Sequence, residues 1–183
     1  MNRTFRHIWL LWGLLPQLLT AQLYIGQDER VHFTSNAPLE LIEATSNQLR
    51  CAIQTDDQSF AFRLRISSFL GFNSDLQRQH FNENYLESNR FPEATFRGKI
   101  IERVDLSVAG TYNVRAKGTL SIHGQRQERI IQAQVISDGL ELQIRCNFTV
   151  PLADHNIDIP RVVNQKIADL IQVEVTATLK REP

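Results

Sequence analysis

The chain has 183 residues, 42% hydrophobic and 22% charged, with 20 basic and 20 acidic side chains. That length fits one domain with a sizeable core. The zero net charge and the lack of any basic run exclude the electrostatic footprint of a nucleic-acid binder.

The N-terminal "MNRTFRHIWLLWGLLPQLLTAQ" places Arg3 and Arg6 before an apolar stretch, Ile8 to Leu19, followed by Leu19-Thr20-Ala21. This order of charge, apolar core and small residue predicts a secretory signal peptide over 1–21, cleaved after Ala21. The stretch is about 12 residues long and holds Pro16 and Gln17, against roughly 20 for a membrane helix. Without Arg3 and Arg6 the remaining chain, 22–183, has two more acidic than basic residues. The expectation is an exported, periplasmic or secreted, nearly neutral domain that does not span the membrane. Export permits a disulfide between Cys51 and Cys146, the two cysteines present. Both fall on inward strand faces, so either a cross-strand bridge or two buried thiols fits, and the reading leans to thiols. Neither cysteine has a second ligand at metal spacing, and no cofactor is called for.

After Gln22 the dominant signal is alternation with period two. Short strands are expected near Val31–Ala37, Leu39–Ala44 and Leu49–Ile53. Phe60, Phe62, Leu64 and Ile66 then share one face, opposed by Ala61, Arg63, Arg65 and Ser67. From Ser74 the pattern turns helical over about 75–88, with Asn73 or Ser74 as N-cap, Asp75 in the first turn, and Phe81 and Tyr85 on one face. Strands resume at Ala94, Phe96, Gly98 and Ile100, then at Tyr112, Val114, Ala116, Gly118, Leu120 and Ile122, and near Gln127–Ile136. Leu140, Leu142, Ile144, Cys146, Phe148 and Val150 continue the alternation, as do Ile171, Val173, Val175, Ala177 and Leu179. "HGQ" at 123–125 and "SDG" at 137–139 are turn signals that make the long strands antiparallel neighbours. Long one-faced strands in a single domain predict an all-β fold, an antiparallel up-and-down barrel of about eight strands. An outer-membrane barrel shares the strand length. However, it would set Arg63, Arg65, Arg97, Lys99, Arg115 and Lys117 against lipid, at about 2–4 kcal/mol for each at the midplane.

The inward face combines large residues with small ones: Ser35, Ala94, Gly98, Ala116, Gly118, Ala133 and Ala177. Two readings remain open: a lumen with unfilled volume that takes one apolar ligand, or strand bends around a packed lumen. Glu43 is the one acid near an inward register, so a ligand would be selected by length and shape. The expected lining is Phe60, Phe62, Leu64, Phe96, Val114, Gly118, Leu120, Ile144, Phe148, Val173 and Val175.

Catalytic alternatives are thin. His80 could act as a base with Glu83, Glu87 or Tyr85 nearby, but no nucleophile or metal motif accompanies it. The helix reads as closure of a barrel end by Phe81 and Tyr85. His123 in its turn and His155 in "DHNIDIP" read as solvated. "NFT" at 147–149 matches a glycosylation acceptor but lies inside a strand.

The stretches "HFNENYLESNRFPEATFRGKI" (80–100), "GTYNVRAKGTLSIHGQRQERIIQAQV" (110–135) and "FTVPLADHNIDIPRVVNQKIADLIQVEVTATL" (148–179), with "VHFTSNAPLELIEATS" (31–46), together resemble the YceI-like family of periplasmic lipid-binding proteins. The resemblance implies a lipocalin-like barrel with an isoprenoid or fatty chain in its lumen and no catalytic residues. It gives the cysteine pair no role. The function expected is therefore an exported lipid-binding protein for storage or transport of a polyisoprenoid or acyl chain. The alternative is a packed-barrel interaction or stress-response protein acting through loops 73–92 or 151–165 with no bound lipid.

Overall fold

A computed structural model describes residues 22–183; the leader expected over 1–21 lies outside the described residues. Eight strands close into an antiparallel barrel in sequence order: β1 (Leu23–Asn36), β2 (Leu41–Gln54), β3 (Ser59–Arg65), β4 (Glu93–Ile100), β5 (Gly110–Ile122), β6 (Gln125–Ser137), β7 (Glu141–Pro151) and β8 (Leu170–Arg181). Pairing of β1 with β8 completes the ring. The up-and-down order is the one expected from the short turns, and the lipocalin-like barrel is the one the family resemblance implies.

Those turns are built as their residues dictate. His123 (φ 51°) and Gly124 (φ 72°) both lie in the left-handed region, the two-residue turn whose twist suits a hairpin. A Cβ on Gly124 would stand 2.6 Å from the Phe91 ring, so glycine is required there by space as well as by φ. At the next turn the Asp138 carboxylate accepts hydrogen bonds from the Leu140 and Glu141 amides, and Gly139 takes φ 89°.

β1 and β2 are each one 14-residue strand, where alternation suggested only shorter pieces. The cause is a pair of offset irregularities. Gln27 and Asp28 of β1 oppose the single Arg50 of β2 between Gly26↔Cys51 and Glu29↔Leu49, and then Arg30 alone opposes Asn47 and Gln48 before Val31↔Ser46. The inward set therefore switches from Tyr24 and Gly26 to Val31, Phe33 and Ser35 in β1, and from Ile42, Ala44 and Ser46 to Leu49, Cys51 and Ile53 in β2; because both strands switch, paired residues still share a face. Asp28, at φ 61°, occupies the first slip.

The interior divides into two halves. One end is packed solid by Tyr24, Cys51, Ile53, Phe60, Val114, Val135, Leu142 and Leu179, with Leu106 of the β4–β5 loop as its plug. The Ser137 hydroxyl donates to the Leu106 carbonyl at 2.7 Å, and the Tyr24 hydroxyl donates to the Gly139 carbonyl at 2.9 Å. The other end is lined by Val31, Phe33, Leu49, Leu64, Phe148 and Val175 but is not filled. Outside, Arg63, Lys99 and Arg115 pair with Glu93, Asp57 and Glu102. The strands therefore face their apolar side inward and their charges outward.

Over the open end lies the short helix α1 (Asp75–His80), continued by a wider turn over Phe81–Tyr85. Ser74 is its N-cap, its hydroxyl accepting from the Gln77 amide.

Candidate functional site: an apolar cavity in one half of the barrel

The unfilled half is a cavity of about 560 Å³. Its floor is the top of the packed half, where Phe62, Phe96, Leu120, Ile131 and Ile144 face it from β3 to β7. Four of the small inward residues, Ser35, Ala94, Ala116 and Ala133, line it, and the volume exists because these positions carry so little. The charged members of the lining are Glu40, Arg63, His80 and Lys166. Arg63 directs its guanidinium outward to Glu93, at 3.5 Å. Glu40, His80 and Lys166 belong to the segments around the opening, so the interior itself offers hydrocarbon, aromatic rings, the Cys146 thiol and the Ser35 hydroxyl, which already accepts from the Ala168 amide at 2.9 Å. Burial pushes that thiol up to about 11 and the Cys51 thiol, in the packed half, up to about 12. Both cysteines are free, and neither is a thiolate near neutral pH.

An aromatic cluster closes the side under the helical arm. Phe81 stacks on Phe33 of β1 at 5.5 Å between centroids and 14° between planes, while Phe69 and Phe72 meet the same two rings edge-on or tilted. The arm is tied down at its far end as well. Glu87 (φ 41°) accepts from His123 Nε2 at 3.1 Å, and the other ring nitrogen of His123 reaches the His155 carbonyl at 3.0 Å.

Eight of the eleven expected lining residues face the cavity: Phe62, Leu64, Phe96, Leu120, Ile144, Phe148, Val173 and Val175. The other three do not. Phe60 and Val114 belong to the packed half, where the Phe60 ring meets Phe62 edge-on at 5.9 Å and Phe96 at a tilt at 4.9 Å. They alternate correctly but lie too far down the barrel. Gly118 sits opposite Gly98 across β4 and β5. A Cβ on Gly118 would collide with the Arg97 carbonyl, and one on Gly98 would come within 2.5 Å of the Gly118 Cα. These glycines mark a close approach of backbones, not lumen space. Ala177 likewise packs in the filled half.

Two further expectations are corrected, and the catalytic alternative for His80 gains no support. Glu43 points outward on β2, accepting from Thr34 and standing 3.7 Å from His32. His155 is buried, and His123, nearly so, meets the Phe91 ring edge-on and reaches the His155 carbonyl, so neither is solvated. His80 stands at the opening without the imagined partners: Glu83 accepts from Gln79, and Glu87 from His123. Sequence reading passed over Phe33, Phe69, Phe72 and Ile167 as lining. Phe69 and Phe72 sit in irregular chain, where no periodicity flags an inward side chain.

A closed eight-stranded barrel, packed at one end and hollow and apolar at the other, belongs to the lipocalin-like class. The sequence profile of the YceI-like domain matches residues 27–179. The chain is a member of the YceI-like family. A search of curated proteins returns no match. Among solved structures, a polyisoprenoid binding domain from Saccharophagus degradans, implicated in plant cell wall breakdown, superposes with a TM-score of 0.74 at 16% identity, covering 87% of this chain and 98% of its own. Burkholderia cenocepacia BcnA gives 0.66 at 17% identity, over 82% and 95%. A Campylobacter jejuni YCEI protein gives 0.53 at 12% identity, over 100% and 92%. At these identities the likeness is one of fold.

Proposed function

We propose that the protein is an exported, non-catalytic carrier that holds a polyisoprenoid or acyl chain in the hollow half of its barrel, for storage or transport. The observation that carries this reading is the cavity itself, about 560 Å³ with an apolar interior. An apolar cavity of about 150 Å³ takes one benzene. By that measure this cavity accommodates on the order of twenty carbons. Ten buried methylenes would contribute about 8 kcal/mol before the costs of association, enough for binding without a hydrogen bond inside. Beyond twenty carbons a polyisoprenoid would trail out of the opening. The polyisoprenoid-binding description of the Saccharophagus relative supports the ligand class. The signal-peptide pattern over 1–21 supports export to a periplasmic or extracellular space. Among the described residues no helix is long and apolar enough to cross a membrane.

Native mass spectrometry of protein recovered from its own compartment tests the reading. The expected spectrum carries an added mass that solvent extraction identifies as an isoprenoid or fatty chain. A consistently ligand-free mass would count against storage and transport alike.

A further inference from the structure

Three large apolar side chains stand exposed beside the cavity opening: Leu39 at 67%, Leu76 at 60% and Val162 at 89%. They come from three separate segments: the β1–β2 turn, the first turn of α1, and the short turn Arg161–Val163. Hydrogen bonds join those segments into one rim. The Leu39 amide donates to the Gln165 carbonyl at 2.9 Å, and the Gln77 side-chain amide donates to Glu40 at 2.9 Å. Glu40, Leu76, Gln77, Val163 and Lys166 of this rim also line the cavity. The apolar edge is thus continuous with the interior, where an isolated exposed leucine elsewhere on the barrel is not.

Charge points to the partner. Arg78, Arg161 and Lys166 belong to the same rim segments and form no ion pair among the described residues. The same segments carry the acids Glu40 and Asp75, which also form no ion pair among the described residues, so the rim holds one positive charge in excess. Apolar side chains beside this positive excess, with Arg161 and Lys166 outside any ion pair and Arg78 donating to the Ser67 carbonyl, match the boundary between acyl chains and anionic headgroups.

We propose that this rim is a docking surface for a bilayer containing anionic phospholipid, seating the opening against the membrane so that a chain passes between bilayer and cavity without crossing water. The transfer half of this inference rests on the carrier reading above; the docking half does not.

The test is flotation of the purified chain with phosphatidylcholine vesicles, with and without phosphatidylglycerol, beside the variant Leu39→Ser/Val162→Ser. Neither position lines the cavity. The wild-type chain is expected to float, more strongly with phosphatidylglycerol and less in high salt. Each substitution should weaken partition about tenfold, the loss of one partly buried aliphatic side chain. A dansylated polyprenol delivered from cyclodextrin should load both proteins equally. A wild-type chain that ignores vesicles, as expected if a soluble protein covers this rim, overturns the proposal, and so does a variant that floats like wild type. A chain that floats but does not load from cyclodextrin supports docking and defeats the carrier reading.

Discussion

Replacing Ala116 by phenylalanine tests the cavity as a measured volume. Ala116 lies on β5 opposite Ile131 and lines the floor of the hollow half. A benzene-sized ring there occupies about 150 Å³ of the roughly 560 Å³ available, a little over a quarter. The longest chain that fits should shorten by about six carbons, from on the order of twenty to on the order of fourteen. At about 0.8 kcal/mol per methylene, a twenty-carbon acid forced to expose six methylenes loses up to about 5 kcal/mol, whereas a twelve-carbon acid loses little. Displacement of a fluorescent fatty acid by a series of chain lengths reads the shift directly. Stability should hold, because the ring enters empty space instead of a packed core. An unchanged length optimum in a folded variant would refute the volume argument, and a uniform loss across all lengths would place the ligand elsewhere. Ala133→Phe, from the neighbouring strand, should reproduce the shift.

Gly118→Leu should lower stability by about 3 kcal/mol or more in urea unfolding, through the clash with Arg97 across β4–β5, without narrowing the cavity; a folded variant of native stability would show that the strands can separate. Cys146 should react with an apolar maleimide slowly near neutral pH, about tenfold faster per pH unit up to about 11, and be protected by a bound chain, as intact-protein mass spectrometry would record. Cys51 in the packed half should react only on unfolding. Acid should loosen the loops that frame the opening. Burial pushes the His155 imidazole below its ordinary value, so the stability it contributes is complete above about pH 6.5 and is lost as pH falls through its folded pKa. Glu87 is held low chiefly by its hydrogen bond from His123, so its share is lost further down, below the ordinary carboxylate range. Melting temperature against pH should therefore fall in two windows, and Glu87→Gln should shrink only the lower one, to which Asp57, Glu102, Asp105 and Asp138, also held low, contribute the rest.

The barrel was legible because it repeats one simple signal. From Tyr112 to Ile122 and from Leu140 to Val150 the inward residues alternate without interruption, and the two turns that flank the strand between them have the residues that such turns demand. Alternation, however, reports which face a side chain takes and not how far along the axis it sits. Phe60 and Phe62 look equivalent in sequence, yet one packs in the filled half and the other borders the cavity. Glycine is ambiguous for a related reason. Gly118 and Ala116 both read as small inward residues, but only the pairing register reveals that Gly118 meets Gly98 backbone to backbone. The slips hid the first part of β1, before Val31, and split β2 into two apparent pieces, because each breaks the period that would identify the strand.

The division into a solid and a hollow half has a physical logic. A void of this size costs stability in proportion to its volume unless something fills it. The protein concentrates its close packing where Tyr24, Leu142 and Leu179 are wholly buried and where the β4–β5 loop caps the end. The hollow half relies on a different kind of support. Phe33, Phe69, Phe72 and Phe81 form an aromatic wall on one side, and the ring at that end is loosely paired. β6 and β7 share a ladder only from Gln134↔Arg145 to Ser137↔Leu142, and toward the opening side chains span the gap, with Arg129 donating to the Thr149 carbonyl. Such an end can admit a chain without disturbing the end that holds the fold together. Occupation should then stabilise the hollow half selectively. Hydrogen exchange should slow on ligand binding at Phe33, Cys146 and Phe148, while Val135 and Leu142 in the packed half exchange as before. Equal protection of both halves would mean that they unfold as one unit and that the division has no energetic meaning.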